Sequence, residues 1–237
     1  PIPPGITLID EAHSVSFYRK LQELFEESDR IILGFTATPF RRGKQKLADL
    51  YQLLVKGPEP DELIRDGFLM PGRYFAYSEI DLSSVGISRR SGDFKGGDLQ
   101  RALNFKELNQ RVVVEYQRTA LGRSGIIFAC GVEHSKAIRD EFLAADIPCA
   151  HIDGSTSYTQ RRQIYAAQKS GEVPLIASVE TLTEGFDQPS VSWLGIVRPT
   201  LSHALHVQML GRAARPCTEI NKTDFLVSDF GTGNLER

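Results

Sequence analysis

From Phe105 to Ser228, short apolar runs alternate with segments of helical period, and this alternation constrains the fold more than any other feature of the chain. Strands are expected at Gly125–Cys130, Cys149–Ile152, Pro174–Val179, Val191–Val197 and Asp224–Ser228. Helices are expected near Glu107–Thr119, His134–Ala145, Thr159–Lys169 and Ser202–Ala214, with Ile138, Phe142 and Ala145 sharing one face of the second. Strands separated by helices at this spacing argue for βαβ units and a parallel sheet. At the front of the chain, Ile6–Ile9 reads as a buried strand, and Phe17, Leu21, Leu24 and Phe25 as a helix face. Ile31–Phe35 reads as a second strand, stopped by Thr38-Pro39. The stretch between Arg41 and Asn104 is irregular, with Pro58, Pro60, Pro71 and the 83–97 region marking loops and a linker, and a strand start at Tyr74–Tyr77. The class is α/β, with a partial first domain over residues 1–72 and a whole second domain over residues 73–237.

Composition narrows the setting. The 237 residues carry 28 Lys+Arg against 30 Asp+Glu and are 41% hydrophobic, an ordinary globular mixture that excludes disordered and collagen-like classes. A formal net charge of −2 excludes a wholly basic binder but leaves room for a local basic patch. No apolar run reaches the ~18–20 residues of a membrane span, and Pro1–Gly5 has no signal-peptide pattern. Cys130, Cys149 and Cys217 are widely spaced without a CxxC, which argues against a disulfide framework or a structural zinc and for a reducing, cytoplasmic setting.

Four segments carry candidate chemistry. Asp10-Glu11-Ala12-His13 follows an apolar strand, where open α/β sheets place ligands. A carboxylate there can hold Mg²⁺ through water, and its neighbour can orient or deprotonate an attacking water. A solvated acidic turn is the alternative. Thr36-Ala37-Thr38-Pro39 ends the next strand, placing two hydroxyls where a change at a phosphate site can be relayed; ordinary turn residues look the same. Gln208, Arg212 and Arg215 fall at i, i+4 and i+7, one helix face, and guanidinium groups suit a transferring phosphoryl group. Cations favoured by a helix C-terminus are the alternative there. Between them, Thr183-Glu184-Gly185-Phe186-Asp187 forms a turn with an exposed acid. His203 and His206 lack a nearby third ligand and read as ordinary histidines.

Taken together these segments resemble the superfamily 2 helicases and translocases, in which two RecA-like domains close on ATP. Asp10–His13 is similar to motif II, the DEAH box, Thr36–Thr38 to motif III and Gly125–Gly131 to motif IV. Ser178–Asp187 is similar to motif V and Gln208–Arg215 to motif VI. The resemblance implies Mg²⁺ coordination at Asp10 and Glu11, with Glu11 as water-activating base and His13 linking to the second domain. It implies coupling through Thr36 and Thr38, nucleotide and strand contacts at Gly185 and Asp187, Arg212 and Arg215 at the γ-phosphate with Arg215 as arginine finger, and Gln208 as a further catalytic residue of the same motif. Nucleic-acid contacts are expected at Arg41, Arg42, Lys44, Ser155, Thr156, Arg161, Arg162 and Thr183, mainly to the phosphate backbone. His151–Thr156, Thr183–Asp187 and Gly211-Arg212 resemble the RadD-like and type III restriction-subunit-like branch, which favours DNA over RNA.

One departure stands beside the match. Nothing in the 237 residues fits GxxxxGK(S/T), the loop that cradles phosphates. The expectation is a helicase core lacking the front half of its first RecA-like domain, inactive in ATP turnover by itself. RNA remodelling, or a non-catalytic module that binds nucleic acid or a partner, are the alternatives.

Overall fold

The computed structural model describes residues 5–12, 22–23, 25, 31–36, 47–77, 80–89, 92–179 and 187–231. Contacts divide the chain into two compact units, Pro1–Gly57 and Pro58–Arg237. In the first, β1 (Ile6–Ile9) pairs in parallel with β2 (Ile31–Gly34), Ile6 opposite Ile31 and Leu8 opposite Leu33. Phe35 N–H donates to Ile9 O at 2.8 Å and Ala12 N–H to Phe35 O at 3.0 Å, carrying the pairing past the acidic turn. Gly34 leaves room for the Tyr51 ring, since a Cβ there would lie 2.5 Å from the Tyr51 hydroxyl. A small cluster gathers Leu50, Ile9, Phe25 and Tyr51.

The burial expected of the first strand is not observed. Ile6 and Leu8 are each 64% exposed, and Ile31, Leu33 and Phe35 are exposed beside them. Parallel sheets are normally covered on both faces, and the described part of this one has two strands with no cover over these side chains. Of the helix expected from Phe17 to Phe25, only Gln22, Glu23 and Phe25 lie within the described residues, and they are helical.

The second unit begins earlier than the boundary expected after residue 72. Helix α1 (Pro60–Arg65) starts with Pro60, whose missing N–H costs nothing in a first turn. Leu69 and Met70 behind it pack on the second unit's core, and Met70 N–H donates to Ala214 O at 2.7 Å. The remaining elements are β3 (Gly72–Ala76), α2 (Gly96–Leu103), α3 (Lys106–Thr119), β4 (Gly125–Ala129), α4 (Val132–Ala144) and β5 (Cys149–Ile152). They continue with α5 (Tyr158–Ser170), β6 (Leu175–Val179), β7 (Trp193–Ile196), α6 (His203–Gly211) and β8 (Phe225–Asp229). The six strands form one all-parallel sheet in the order β3-β8-β7-β4-β6-β5.

Strand alternation builds both faces of this sheet. Ile127, Ala177, Trp193 and Leu226 pack under α2, α3 and α4 with Leu99, Val112, Tyr116, Ile138 and Phe142. Ile126, Phe128, Ile176, Leu194 and Val227 point the other way, against Ile164 of α5 and Leu205 and Met209 of α6. The α/β class expected from the sequence, a parallel sheet with flanking helices, is the one observed. Because every strand runs one way, Cys130-Gly131, Asp153–Thr156 and Pro199–Ser202 follow carboxyl ends at one edge. Asp187–Val191 and Thr218–Asp224 precede β7 and β8 at the opposite edge.

One buried polar network sets a pH dependence. His134 Nε2 lies 3.1 Å from Asn109 Oδ1 and its Nδ1 2.8 Å from Cys130 Sγ, with no carboxylate in the set. Burial lowers the imidazole pKa to about 4, so the ring is neutral in the folded chain. The unfolded chain takes up a proton near its ordinary pKa of 6.5, and the folded chain only near 4. Stability is therefore whole above that upper value and falls as pH drops through the window. Between about pH 7 and about pH 4.5 the wild type is expected to lose about 2 kcal/mol more than His134→Gln, by denaturant unfolding of each. Parallel losses in the two proteins would assign the acid sensitivity elsewhere.

Candidate functional site

In the first unit, the chain leaves β1 directly into Asp10 and Glu11, both exposed. Asp10 Oδ1 accepts the Glu11 N–H at 2.9 Å. Glu11 sits at φ 49°, in the left-handed region that a residue with a Cβ seldom adopts. Ala12, next along, is buried, so the turn is anchored on one side and open to water on the other. Two accessible carboxylates make a hard oxygen donor set that suits a hydrated Mg²⁺, an ion that keeps several waters and takes one or two carboxylates. Among the described residues no three His, Cys, Asp or Glu side chains gather to cage a metal. Thr36 follows the second strand and is half-buried. His13, Thr38, Arg41, Arg42 and Lys44 lie outside the described residues, as do Thr183 and Gly185.

In the second unit, the loop after β5 is organised by Asp153. Its Oδ1 accepts from the Ser155 N–H at 2.8 Å, the Ser155 hydroxyl at 2.6 Å and the Thr156 N–H at 3.2 Å. Its Oδ2 lies 3.0 Å from His151 Nε2, and His151 Nδ1 lies 2.8 Å from Ser135 Oγ. The Ser155 hydroxyl first, and His151 with it, hold the Asp153 carboxyl well below the usual carboxylate range. Arg161 donates to the Thr156 carbonyl at 2.9 Å and to the Asp153 carbonyl at 2.6 Å. The expected nucleic-acid residues Ser155, Thr156 and Arg161 are thus brought together, but their polar groups are engaged in shaping the loop. Asp153 itself was legible as the first residue of an Asx turn in Asp-Gly-Ser-Thr, since Asp side chains bond backbone two residues on. Ser157 and Gln160 then form the capping box that starts α5.

The helical face expected for Gln208, Arg212 and Arg215 is corrected. Helix α6 ends at Gly211, Arg212 is its cap, and the N–H groups of Ala213 and Ala214 both return to Leu210 O in a tightened last turn. Pro216 follows Arg215 and disfavours helical backbone there. Arg215 instead pairs with Asp187, joining the ends of the two motifs. The segment behind Asp187 is tethered by Gln188, whose Nε2 donates to Tyr165 O at 2.9 Å. Gln208 is half-buried in the last turn of α6. At the other end of that helix, Asp93 accepts from the Thr200 hydroxyl at 2.6 Å and the Leu201 N–H at 2.7 Å. That tie comes from the irregular 83–97 region, which the sequence marks only as loop.

Residues 105–217 match the family described as helicase conserved C-terminal domain. A 51.5 kDa protein of a Lactococcus phage (isolate 7-9) is 31% identical over 214 residues, 90% of this chain and 46% of the phage protein. A Saccharomyces cerevisiae protein that bears the name "Putative ATP-dependent helicase IRC3" is 28% identical over 222 residues, 89% of this chain and 32% of its own length. The chain therefore spans less than half the length of either relative. A solved fragment of a type I restriction enzyme HsdR subunit from Vibrio vulnificus superposes with a TM-score of 0.75 at 20% identity, over 97% of this chain and 44% of that one, and shares the fold. The match and the relatives agree: residues 105–217 carry a helicase conserved C-terminal domain, on a fold shared with the HsdR fragment.

Proposed function

We propose that this chain is part of an ATP-dependent helicase or translocase acting on DNA, with the nucleotide held between two RecA-like domains. The observation that carries the reading is the exposed Asp10–Glu11 pair at the carboxyl end of β1, with Glu11 in a strained left-handed conformation, in a chain that also carries a helicase C-terminal domain. Such strain persists where surrounding structure over-determines it and concentrates at functional sites. Asp10 would hold Mg²⁺ through water, and the ion would neutralise charge on the phosphates. Glu11 orients and deprotonates the attacking water. Arg215, with Arg212 and Gln208 nearby in sequence, faces the charge that develops on the γ-phosphate, and Asp187 and Gly185 meet nucleotide and strand. His13, Thr36 and Thr38 pass the change on, so that ATP binding closes the domains and hydrolysis reopens them.

The exposed apolar face of Ile6, Leu8, Ile31 and Leu33 supports a further reading, that the phosphate-binding front half of this domain comes from polypeptide outside the 237 residues. The Thr183–Asp187 pattern favours DNA over RNA.

ATP turnover by the full-length protein, measured with no polymer, single-stranded DNA, duplex DNA and RNA, tests the proposal. DNA-stimulated turnover that Glu11→Gln abolishes is the expected result, with the 237-residue chain silent by itself. Stimulation by RNA alone moves the substrate class. Silence with every polymer in a folded protein leaves a non-catalytic binding module instead. Steady turnover by the 237-residue chain, lost in Glu11→Gln, overturns the placement of the phosphate loop outside it.

A further inference from the structure

Lys222 lies between the 3₁₀ turn Thr218–Ile220 and β8, and no motif points to it. Asn221 before it adopts a left-handed φ of 48°, and Lys222 N–H returns to Cys217 O at 3.0 Å, so the chain turns sharply and sends this side chain inward. Its Nζ donates to four main-chain carbonyls: Pro189 at 2.9 Å, Val191 at 2.5 Å, Ala213 at 2.7 Å and Arg215 at 2.9 Å. An ammonium has three N–H groups, so four acceptors saturate it.

Those carbonyls come from two segments far apart in sequence. One begins two residues after Asp187, and the other ends on Arg215 itself. Asp187 and Arg215 are also joined through their side chains, but an exposed ion pair of this kind fixes little by itself. Lys222 is the group that fixes the backbone on both sides of it. It also supplies donors to carbonyls just past the end of α6, where a cation is favoured by the helix dipole.

We propose that Lys222 is a positioning residue for the Asp187–Arg215 pair. It clasps the two segments so that the Arg215 guanidinium is presented in one orientation. The proposal rests on the reading of Arg215 as the group that meets the γ-phosphate. The four inward carbonyls are also the kind of oxygen set that coordinates a bare monovalent cation, so the clasp is one that a small free cation can partly replace when the side chain is removed.

The surroundings make the clasp sensitive to alkali. Burial lowers the ammonium pKa to about 8, Cys217 and Asp224 favour its charge and Arg123 opposes it. Asp224 is in turn held by Arg73 at 2.6 Å and Arg123 at 2.7 Å, and Arg215 itself lies on the segment that Nζ binds. A neutral amine keeps two donors for four carbonyls, and the clasp loosens.

Steady-state kinetics of Lys222→Met in the full-length protein, in sodium, potassium and ammonium chloride, tests this. The expected result is a KM for ATP close to wild type and a kcat lower by about 10²-fold, the loss that a small misplacement of a catalytic group brings. Ammonium or potassium is expected to restore part of that kcat and to leave the wild type unchanged. Wild-type kcat is expected to fall above about pH 8 with the loss of the ammonium proton, and the Met variant to lack that fall. Hydrogen exchange gives a readout that needs no catalysis: amides at 187–191 and 212–216 should exchange faster in Lys222→Gln, and slow again with ammonium.

Unchanged kcat in the Met variant, or loss of kcat that no cation or pH alters, overturns the positioning role. Should the wild type turn over no ATP, the reading of Arg215 fails, and the exchange measurement still decides whether Lys222 clasps the two segments. Unchanged exchange in Lys222→Gln then removes the clasp as well.

Discussion

Arg215→Ala in the full-length protein is expected to bind ATP almost as well as wild type and to turn it over about 10³-fold more slowly, the scale of loss when a guanidinium is withdrawn from a phosphoryl-transfer site. The argument is one of charge and placement. Arg215 is a permanently charged planar group whose side chain is 43% exposed, held by Asp187 and not by burial. It follows α6 by a few residues and stands before Pro216, so its backbone is not helical and its side chain leaves the helix face. A group placed in this way is available to a ligand and contributes little to the fold. Exposed ion pairs contribute about 0–1 kcal/mol, so the Ala variant should unfold within about that margin of wild type. Loss of turnover without loss of stability or of nucleotide affinity is therefore the signature sought. Arg215→Lys is expected to recover only a small part, because a point charge does not reproduce the guanidinium fork. Unchanged turnover in the Ala variant would remove Arg215 from the chemistry and leave its pairing with Asp187 as a surface contact.

What was legible in the sequence follows from the range over which each determinant acts. The strands and helices after Phe105 are set by local apolar period, and β5 occupies the residues expected, Cys149–Ile152. The helix through Arg215 was misread because the i, i+4, i+7 spacing was followed past Gly211, although Pro216 already argued that the helix stops short. Burial of Ile6 and Leu8 was misread for a different reason. An apolar strand sequence states what a side chain prefers, and cover is supplied by other elements. Asp93, Gln188 and Lys222 were silent because their bonds reach groups from 7 to 108 residues away, and nothing in their own neighbourhood marks them. Ser155, Thr156 and Arg161 lie together in one loop, yet their hydrogen bonds turn inward to it, a direction that residue types do not encode.

Trp193→Ala is expected to destabilise the second unit by about 3–5 kcal/mol, the usual range for removing a fully buried aromatic. Trp193 is completely buried in the central part of the sheet, with its ring edge-on to Tyr116 at 4.8 Å and to Phe142 at 6.4 Å. Its indole N–H donates to the Ser228 hydroxyl at 3.1 Å, so the side chain joins β7 to β8 as well as to α3 and α4. Space for it is made by two glycines. A Cβ at Gly125, its register partner on β4, would lie 2.5 Å from the indole, and one at Gly195 would lie 2.8 Å from it. Gly125→Ala alone therefore overfills the site and is expected to cost about 1–3 kcal/mol. In the Trp193→Ala background the same methyl enters vacated space, and most of that cost should vanish, leaving the neighbouring carbonyl of Trp193 and the Leu175 methyl to adjust by a few tenths of an ångström. Denaturant unfolding of the four proteins, followed by far-ultraviolet circular dichroism because the chain has a single tryptophan, closes the cycle. A coupling of about 1 kcal/mol or more is expected for residues that share one space. Strict additivity would mean that Gly125 is fixed by its backbone and not by the indole, and the packing account of both glycines would fall with it.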